Sequence, residues 1–373
     1  MKRIVICCDG TWNSADQADE NGEPCPTNVV RLAYRAAKRD AAGVPQVVYY
    51  DPGVGTGNTI DRLTGGAIGR GVEENIHDAY RFLVGNYEYR DEVLVFGFSR
   101  GAFTARSLVG MVRKCGILAG KHARHYREAL ELYRSDCQPA DEEPTAFRER
   151  YCLYGNGSIH VRFMGVWDTV GALGIPLRGL RLLKKKYAFH DTELSGIVRH
   201  ACQALAIDEH RAPFQPAVWE AKPKEGQKVE QVWFCGAHSD VGGGYERTRL
   251  SEGAYAPQLA DLSLDWMMGK AAAAGLHFDP QALEANPLVL DPRAPIHDSK
   301  TGLYRVVPSF DRVIGLATLD KQQTDQPDPT QQLHPSVLAR WDADPSYRPT
   351  SLARYFKVKG DPRAAANAST ATA

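Results

Sequence analysis

Glu92-Val93-Leu94-Val95-Phe96-Gly97-Phe98-Ser99-Arg100-Gly101-Ala102 is the stretch on which the fold turns. Glu92 to Phe96 reads as a strand. After Gly101 the apolar residues fall at Ala105, Leu108, Val109, Val112 and Cys115, which is helical spacing, with Gly116 placed to end the helix. Between the two stands Gly97-Phe98-Ser99-Arg100-Gly101. A serine lifted onto a tight strand-to-helix turn needs glycine on either side, because the neighbouring backbones pass close to one another there. With glycine and serine each near ~7% of residues, three fixed positions recur by chance in roughly one chain in eight of this size. The strand before and the helix after are what give the pattern its weight.

The same alternation extends in both directions. Arg3-Ile4-Val5-Ile6-Cys7-Cys8 reads as a buried strand running into Asp9-Gly10-Thr11, the kind of continuous apolar run a parallel sheet requires. Thr27 is placed to cap a helix carrying Val29, Leu32, Ala33 and Ala36, and Val47 to Tyr50 is the next strand. A helix with Val72, Ile76, Ala79, Tyr80 and Leu83 on one face then leads to the elbow. Beyond it come a charged helical segment from Tyr126 to Arg134 and a Pro- and acid-rich loop from Gln138 to Pro144. Two further strands follow, Ile159 to Trp167 ending in Asp168 and Val229 to Cys235 ending near His238. A helix through Leu259, Leu262, Trp266 and Met267 comes after them. This order predicts an α/β-hydrolase-like fold without its first two strands, a mostly parallel twisted sheet with helices on both faces. The expected organisation is a catalytic core over 1–286 with helical and loop insertions around 120–155 and 172–228. A C-terminal region, 287–359, packs on it, and a small, polar, disordered tail spans 360–373.

Composition excludes several classes. Among 373 residues Lys plus Arg equals Asp plus Glu at 45 each, so no global field favours nucleic acid, and none is expected as a partner. Eight cysteines show no Cys-x-x-Cys and no zinc spacing; Cys7, Cys115 and Cys235 fall on apolar faces and read as core thiols in a reducing compartment. Nothing approaches the ~18 consecutive apolar residues of a membrane span, and the basic Met1-Lys2-Arg3 precedes a strand rather than a signal peptide. The expected location is the cytoplasm of the producing cell, with any export independent of a signal peptide. Asp51-Pro52-Gly53-Val54-Gly55-Thr56-Gly57 lacks the dinucleotide spacing and no P-loop lysine follows, so it reads as a mobile loop at the pocket rim and no cofactor is expected.

A serine hydroxyl needs a histidine to take its proton, and the histidine needs a carboxylate to fix its tautomer. In this fold the chain order is Ser, acid, His. Asp168 ends an apolar strand on the active rim of the sheet, and His238 ends the next in Cys235-Gly236-Ala237-His238-Ser239-Asp240. The plain alternatives are a helix cap or a surface turn for Asp168 and a buried histidine satisfied by its own loop for His238. Asp208 and Asp240 rival the acid; Asp208 follows a helical pattern, and Asp240 is better placed to brace the loop or bind a cation. His297 and His334 rival the base, since in this fold the base often comes last. The oxyanion donors are expected to be the Arg100 amide and an amide of Gly10 or Thr11. A metal-dependent hydrolase gathering a divalent cation with Asp9, Asp168, His238 and Asp240 is the competing enzyme class, and a non-catalytic hydrolase-like binding module the other alternative. Five cations interleaved with leucines from Arg178 to Lys186 form either a lid or a contact with an anionic membrane surface, against the plain reading of a solvated helix face.

Five ordered motifs resemble the catalytic domain of type VI secretion phospholipase effectors, a family formerly filed as a domain of unknown function. They are Cys8-Asp9-Gly10-Thr11-Trp12-Asn13, Gly97 to Ala102, Val166-Trp167-Asp168-Thr169-Val170-Gly171, Ala206-Ile207-Asp208-Glu209-His210-Arg211 and His238 to Tyr245, with a weaker echo at His334-Pro335-Ser336-Val337. The resemblance implies a Ser99-Asp168-His238 triad and a metal-independent serine esterase or lipase acting on glycerophospholipid acyl esters. For an effector, it also implies delivery by a type VI secretion apparatus and an immunity protein in the producing cell.

Overall fold

The computed structural model describes every residue except 11–12, 15, 19–21, 54–64, 156–158, 171–192, 221, 251–254, 307, 320–321, 362 and 364–373. Most of the expected rim loop, the Arg178 to Lys186 segment and most of the expected tail lie outside the described residues, while Asp51 belongs to the second strand. Among the described residues, seven strands form one sheet in the order β2-β1-β3-β4-β5-β6-β9, every neighbouring pair parallel. They are β1 (Arg3–Cys8), β2 (Gln46–Asp51), β3 (Glu92–Phe98), β4 (Val161–Trp167), β5 (Val198–Ala206), β6 (Lys228–Phe234) and β9 (Gln331–Leu333); β7 (Leu316–Leu319) and β8 (Gln322–Pro327) make a separate antiparallel pair.

Because side chains alternate across a strand, β1 sends Val5 and Cys7 to one face and Ile4 and Ile6 to the other. The first face is covered by α1 (Asn28–Arg35), capped by Thr27 as expected. The second is covered by α2 (Gly65–Asn86) and α3 (Ser99–Cys115), the elbow helix, which ends at Gly116 with φ +73°. Buried on both faces, the strands have no solvent side to place polar residues on, which is why they read as continuous apolar runs. α4 (Tyr126–Arg134) is the expected charged helix, and α5 (Glu142–Tyr151) begins inside the stretch expected to be a loop from Gln138 to Pro144. Then come α6 (His238–Gly242), α7 (Leu259–Ala273), α8 (Pro280–Ala285), α9 (Pro335–Ala343) and α10 (Thr350–Lys359). α7 completes the first face, tied to α1 by the buried Arg31–Asp261 ion pair at 2.5 Å.

Two expectations change. The span 172–228 contributes a central strand, β5, so it is no simple insertion, and Asp208 follows that strand rather than a helix. The reason is compositional: Val198-Arg199-His200-Ala201-Cys202-Gln203-Ala204-Leu205-Ala206 has one β-branched residue and three alanines, and its local preference is helical. Pairing with β4 and β6 on both edges overrides it. The region 287–359 also does more than pack on the core, since β9 extends the main sheet. Near the chain's end Arg363 pairs with Asp342 and lies over the Trp341 ring. All eight cysteines are free, and Cys7, Cys115 and Cys235 are buried. No helix among the described residues is long and apolar enough to cross a membrane.

Candidate active site

The chain leaves β1 towards β2 on one side and β3 towards β4 on the other. The strand order therefore reverses between β1 and β3, and their carboxyl ends are the usual ligand position in open α/β sheets. Asp9 and Gly10 follow β1 there, and Ser99 follows β3. Ser99 sits at φ +56°, a left-handed conformation that a non-glycine residue adopts only when its surroundings impose it. Gly97 and Gly101 are those surroundings. A Cβ on Gly97 would lie 2.6 Å from the Cα of Ala102, and one on Gly101 only 2.2 Å from the carbonyl oxygen of Cys8.

His238 opens α6, and its Nε2 lies 2.8 Å from Ser99 Oγ while its Nδ1 lies 2.5 Å from Asp168 Oδ2. Asp168 immediately follows β4, at φ +38°, and is fully buried. Burial alone would raise its carboxyl, but the Arg312 guanidinium and the hydrogen bond to His238 hold it well below the usual carboxylate range. For His238 burial wins: it pulls the imidazole below 6.5, against the opposing pull of Asp168. The ring is held between Phe98 and Phe214, with centroids at 4.6 and 5.0 Å. Its helix is anchored from below by Asn28, whose Nδ2 donates to Val241 O at 3.0 Å and Ala260 O at 2.9 Å.

The rival residues stand elsewhere. Asp208 accepts from Gly236 N at 2.7 Å and from the Tyr347 hydroxyl at 2.9 Å, and burial pushes its carboxyl up to about 6. Asp240 accepts from Ala237 N and pairs with His297 Nδ1 at 2.6 Å, so the two rivals satisfy each other and lock the loop before α6. His334 caps α9, accepting from Ser336 N and stacking on Phe234 at 4.5 Å; burial pushes it down to about 4. Asp9 accepts from Gly10 N at 2.7 Å and from the hydroxyls of Thr27 and Tyr50, both at 2.8 Å. Each of the four residues expected to gather a cation is thus engaged by protein donors, and a cation at Asp168 would compete with Arg312. Elsewhere His200, Cys202 and Glu230 approach one another, but Lys228 and Lys270 bond Glu230 at 2.9 and 2.5 Å and supply its positive charge.

On the oxyanion side, Gly10 has no side chain where a Cβ would come within 3.3 Å of Ser99 Cβ. Its N–H, one of the expected donors, is instead committed to Asp9, because a carboxylate one residue away closes onto that amide. Thr11, its alternative, lies outside the described residues. Arg100 is in the first turn of α3, at the positive end of the helix dipole. Sequence reasoning missed two residues. Glu209, fully buried, binds Arg211 bidentately at 2.9 and 2.7 Å and accepts from His238 N at 3.3 Å. It lay inside a quoted motif but beside the more obvious Asp208. Arg312 carried no motif signal at all.

Residues 2–270 match the family described as T6SS, phospholipase effector Tle1-like, catalytic domain. The chain belongs to that family. It is also 29% identical over 262 residues to an uncharacterized protein of Saccharomyces cerevisiae, covering 64% of this chain and 36% of that protein. Among solved structures it resembles an uncharacterized protein from Pseudomonas aeruginosa at 17% identity and TM-score 0.43, covering 77% of this chain and 49% of the other. It also resembles the Tle1 effector bound to the VgrG spike of the type 6 secretion system, at 18% identity and TM-score 0.41, covering 77% and 76%. The chain spans about a third of the yeast relative and half of the Pseudomonas protein.

Proposed function

We propose that this chain is a metal-independent serine hydrolase that cleaves acyl esters of phospholipids or related lipids through an acyl-enzyme on Ser99. The observation that carries the reading is the continuous hydrogen-bonded relay from Ser99 Oγ through His238 to Asp168. Ser99 Oγ attacks the ester carbonyl while His238 Nε2 takes its proton. Asp168 holds the imidazole in the tautomer that leaves Nε2 free to accept. The Arg100 amide, joined by one from the loop after Gly10, receives the developing oxyanion. His238 then returns the proton to the departing alcohol, and water, deprotonated by the same histidine, releases the fatty acid. Family membership supports the lipid ester as substrate. It also supports delivery by a type VI secretion apparatus, through a spike protein such as the one its structural relative binds, with an immunity protein guarding the producing cell.

Hydrolysis of a panel of defined phospholipids and short-chain esters, with and without EDTA, tests this reading. Phospholipid turnover that survives chelation and disappears with Ser99 labelling by a fluorophosphonate is the expected result. Turnover abolished by EDTA but retained in Ser99→Ala would replace it with the metal-dependent class. The acid and base are separable in the same assay. Asp168→Asn is expected to lower kcat by on the order of 10⁴-fold, whereas His297→Ala and His334→Ala stay within about tenfold of the parent.

The pH dependence has a definite sign. Only neutral His238 accepts the serine proton, so kcat/KM falls as pH drops through the histidine's own pKa. Burial sets that pKa below 6.5, and the acid limb of a kcat/KM profile is expected below that value. A limb centred above 7 would show that another group carries the proton.

A further inference from the structure

The triad acid is held by a residue from outside the segment that defines the family. Asp168 Oδ1 accepts from Arg312 Nη1 at 2.5 Å and from Ala206 N at 3.0 Å, while Oδ2 accepts from Arg312 Nη2 at 2.9 Å and faces His238 Nδ1. Arg312 spends its remaining Nη protons on backbone carbonyls, Ala206 O at 2.8 Å at the end of β5 and Phe214 O at 2.7 Å in the wall beside His238. Both side chains of the pair have no exposed surface, and 144 residues separate them in sequence. The fork-to-fork geometry leaves the carboxylate one orientation, because rotating it would break two charge-assisted hydrogen bonds at once. That orientation is the one that presents Oδ2 to the histidine.

We propose that Arg312 is a positioning residue of the catalytic centre, one that fixes the Asp168 carboxylate and offsets its charge, thereby setting the pH range over which His238 acts as base. This rests on the Ser99-His238-Asp168 reading. A triad carboxylate with no counter-ion stabilises the protonated imidazole fully. One already paired with a buried guanidinium stabilises it less, so the neutral base persists to lower pH. The other charged groups facing His238 are Glu209 and Arg211, which come from the loop after β5 and bind each other. Asp240, on the histidine's own helix, is turned to His297. Neither pair changes in the variants below. The consequence for the enzyme is a base that stays competent in mildly acidic surroundings.

The test reads the second-order rate of Ser99 phosphonylation by a fluorophosphonate from about pH 4 to 9, which reports the state of the base without knowledge of the natural substrate. In full-length Arg312→Met the acid limb is expected to move up by about 1 pH unit or more, and the plateau to fall at least about tenfold. Arg312→Lys, which keeps the charge but loses the fork, is expected to hold the limb at the parent position with a lowered plateau. A purely structural role would lower the folded fraction, read by near-UV circular dichroism, and leave the limb in place. A folded Arg312→Met with the parent limb overturns the proposal. If Arg312→Met does not fold, Arg312→Lys decides: the parent limb with a lowered plateau supports the proposal, and an unchanged plateau or a limb displaced upward overturns it. Absence of Ser99 labelling in the folded parent would instead sink the triad reading itself.

Discussion

Replacing Ser99 by alanine is expected to lower ester hydrolysis by on the order of 10⁵-fold while leaving the fold unchanged. The side chain is small and its β-carbon already occupies the strained turn, so deleting the hydroxyl removes the proposed nucleophile and its hydrogen bond to His238 without altering the backbone. His238→Ala should cost about as much, because a serine that cannot lose its proton is as inert as one that is absent. The informative result is the double variant. Members of one relay act as a unit, so Ser99→Ala/His238→Ala should be no slower than either single change. Losses that multiplied would mean that Ser99 and His238 contribute to separate steps. Turnover of each purified variant on a chromogenic ester, with thermal unfolding as the control for integrity, measures this.

The second large effect is on folding. Gly101→Ala places a methyl group 2.2 Å from the carbonyl oxygen of Cys8 and 2.3 Å from that of Asp9, both of them backbone atoms at the end of a central strand. Neither can swing aside as a side chain would. Local propensity predicts the opposite outcome, since glycine within a helix costs roughly 0.5–1 kcal/mol relative to alanine. The tertiary term is larger. We expect a destabilisation of roughly 4 kcal/mol or more, above the roughly 1–3 kcal/mol typical of an overfilled core because the obstacle here is backbone that cannot yield. Against a total stability of about 5–15 kcal/mol for a typical domain, this lowers the midpoint of urea unfolding severely or prevents soluble expression. A Gly101→Ala protein as stable as its parent would show that the elbow helix does not approach β1 as closely as described.

These two residues also indicate how far local sequence reaches. The demands of the elbow are met within about ten residues: a strand to present the serine, glycines where two backbones converge, a helix to carry the chain away. All of them are written in consecutive positions, so Ser99 was legible. Asp168 and His238 were legible at one remove, because a parallel sheet puts whatever follows its strands on a common rim. Choosing among three carboxylates and three histidines was beyond that reasoning. Asp240 and His297, separate rivals in the sequence, turn out to bond each other, and Asp208 is taken up by Gly236 and Tyr347. β5 was missed because its alanines speak for a helix, and only its neighbours on both edges make it a strand.

By itself, then, the sequence determined five of the sheet's strands with the elbow, the family, and the rim on which the candidate residues stand, since each of these follows from short-range periodicity, turn chemistry and motif. The tertiary structure alone decided which acid faces which histidine, that the Gly10 amide is already bound to Asp9, and that an arginine 144 residues away grips the Asp168 carboxylate. Those are long-range pairings. A charge's partner is fixed by where the packed core brings two distant segments together, and no local pattern around Asp168 or Arg312 records the other.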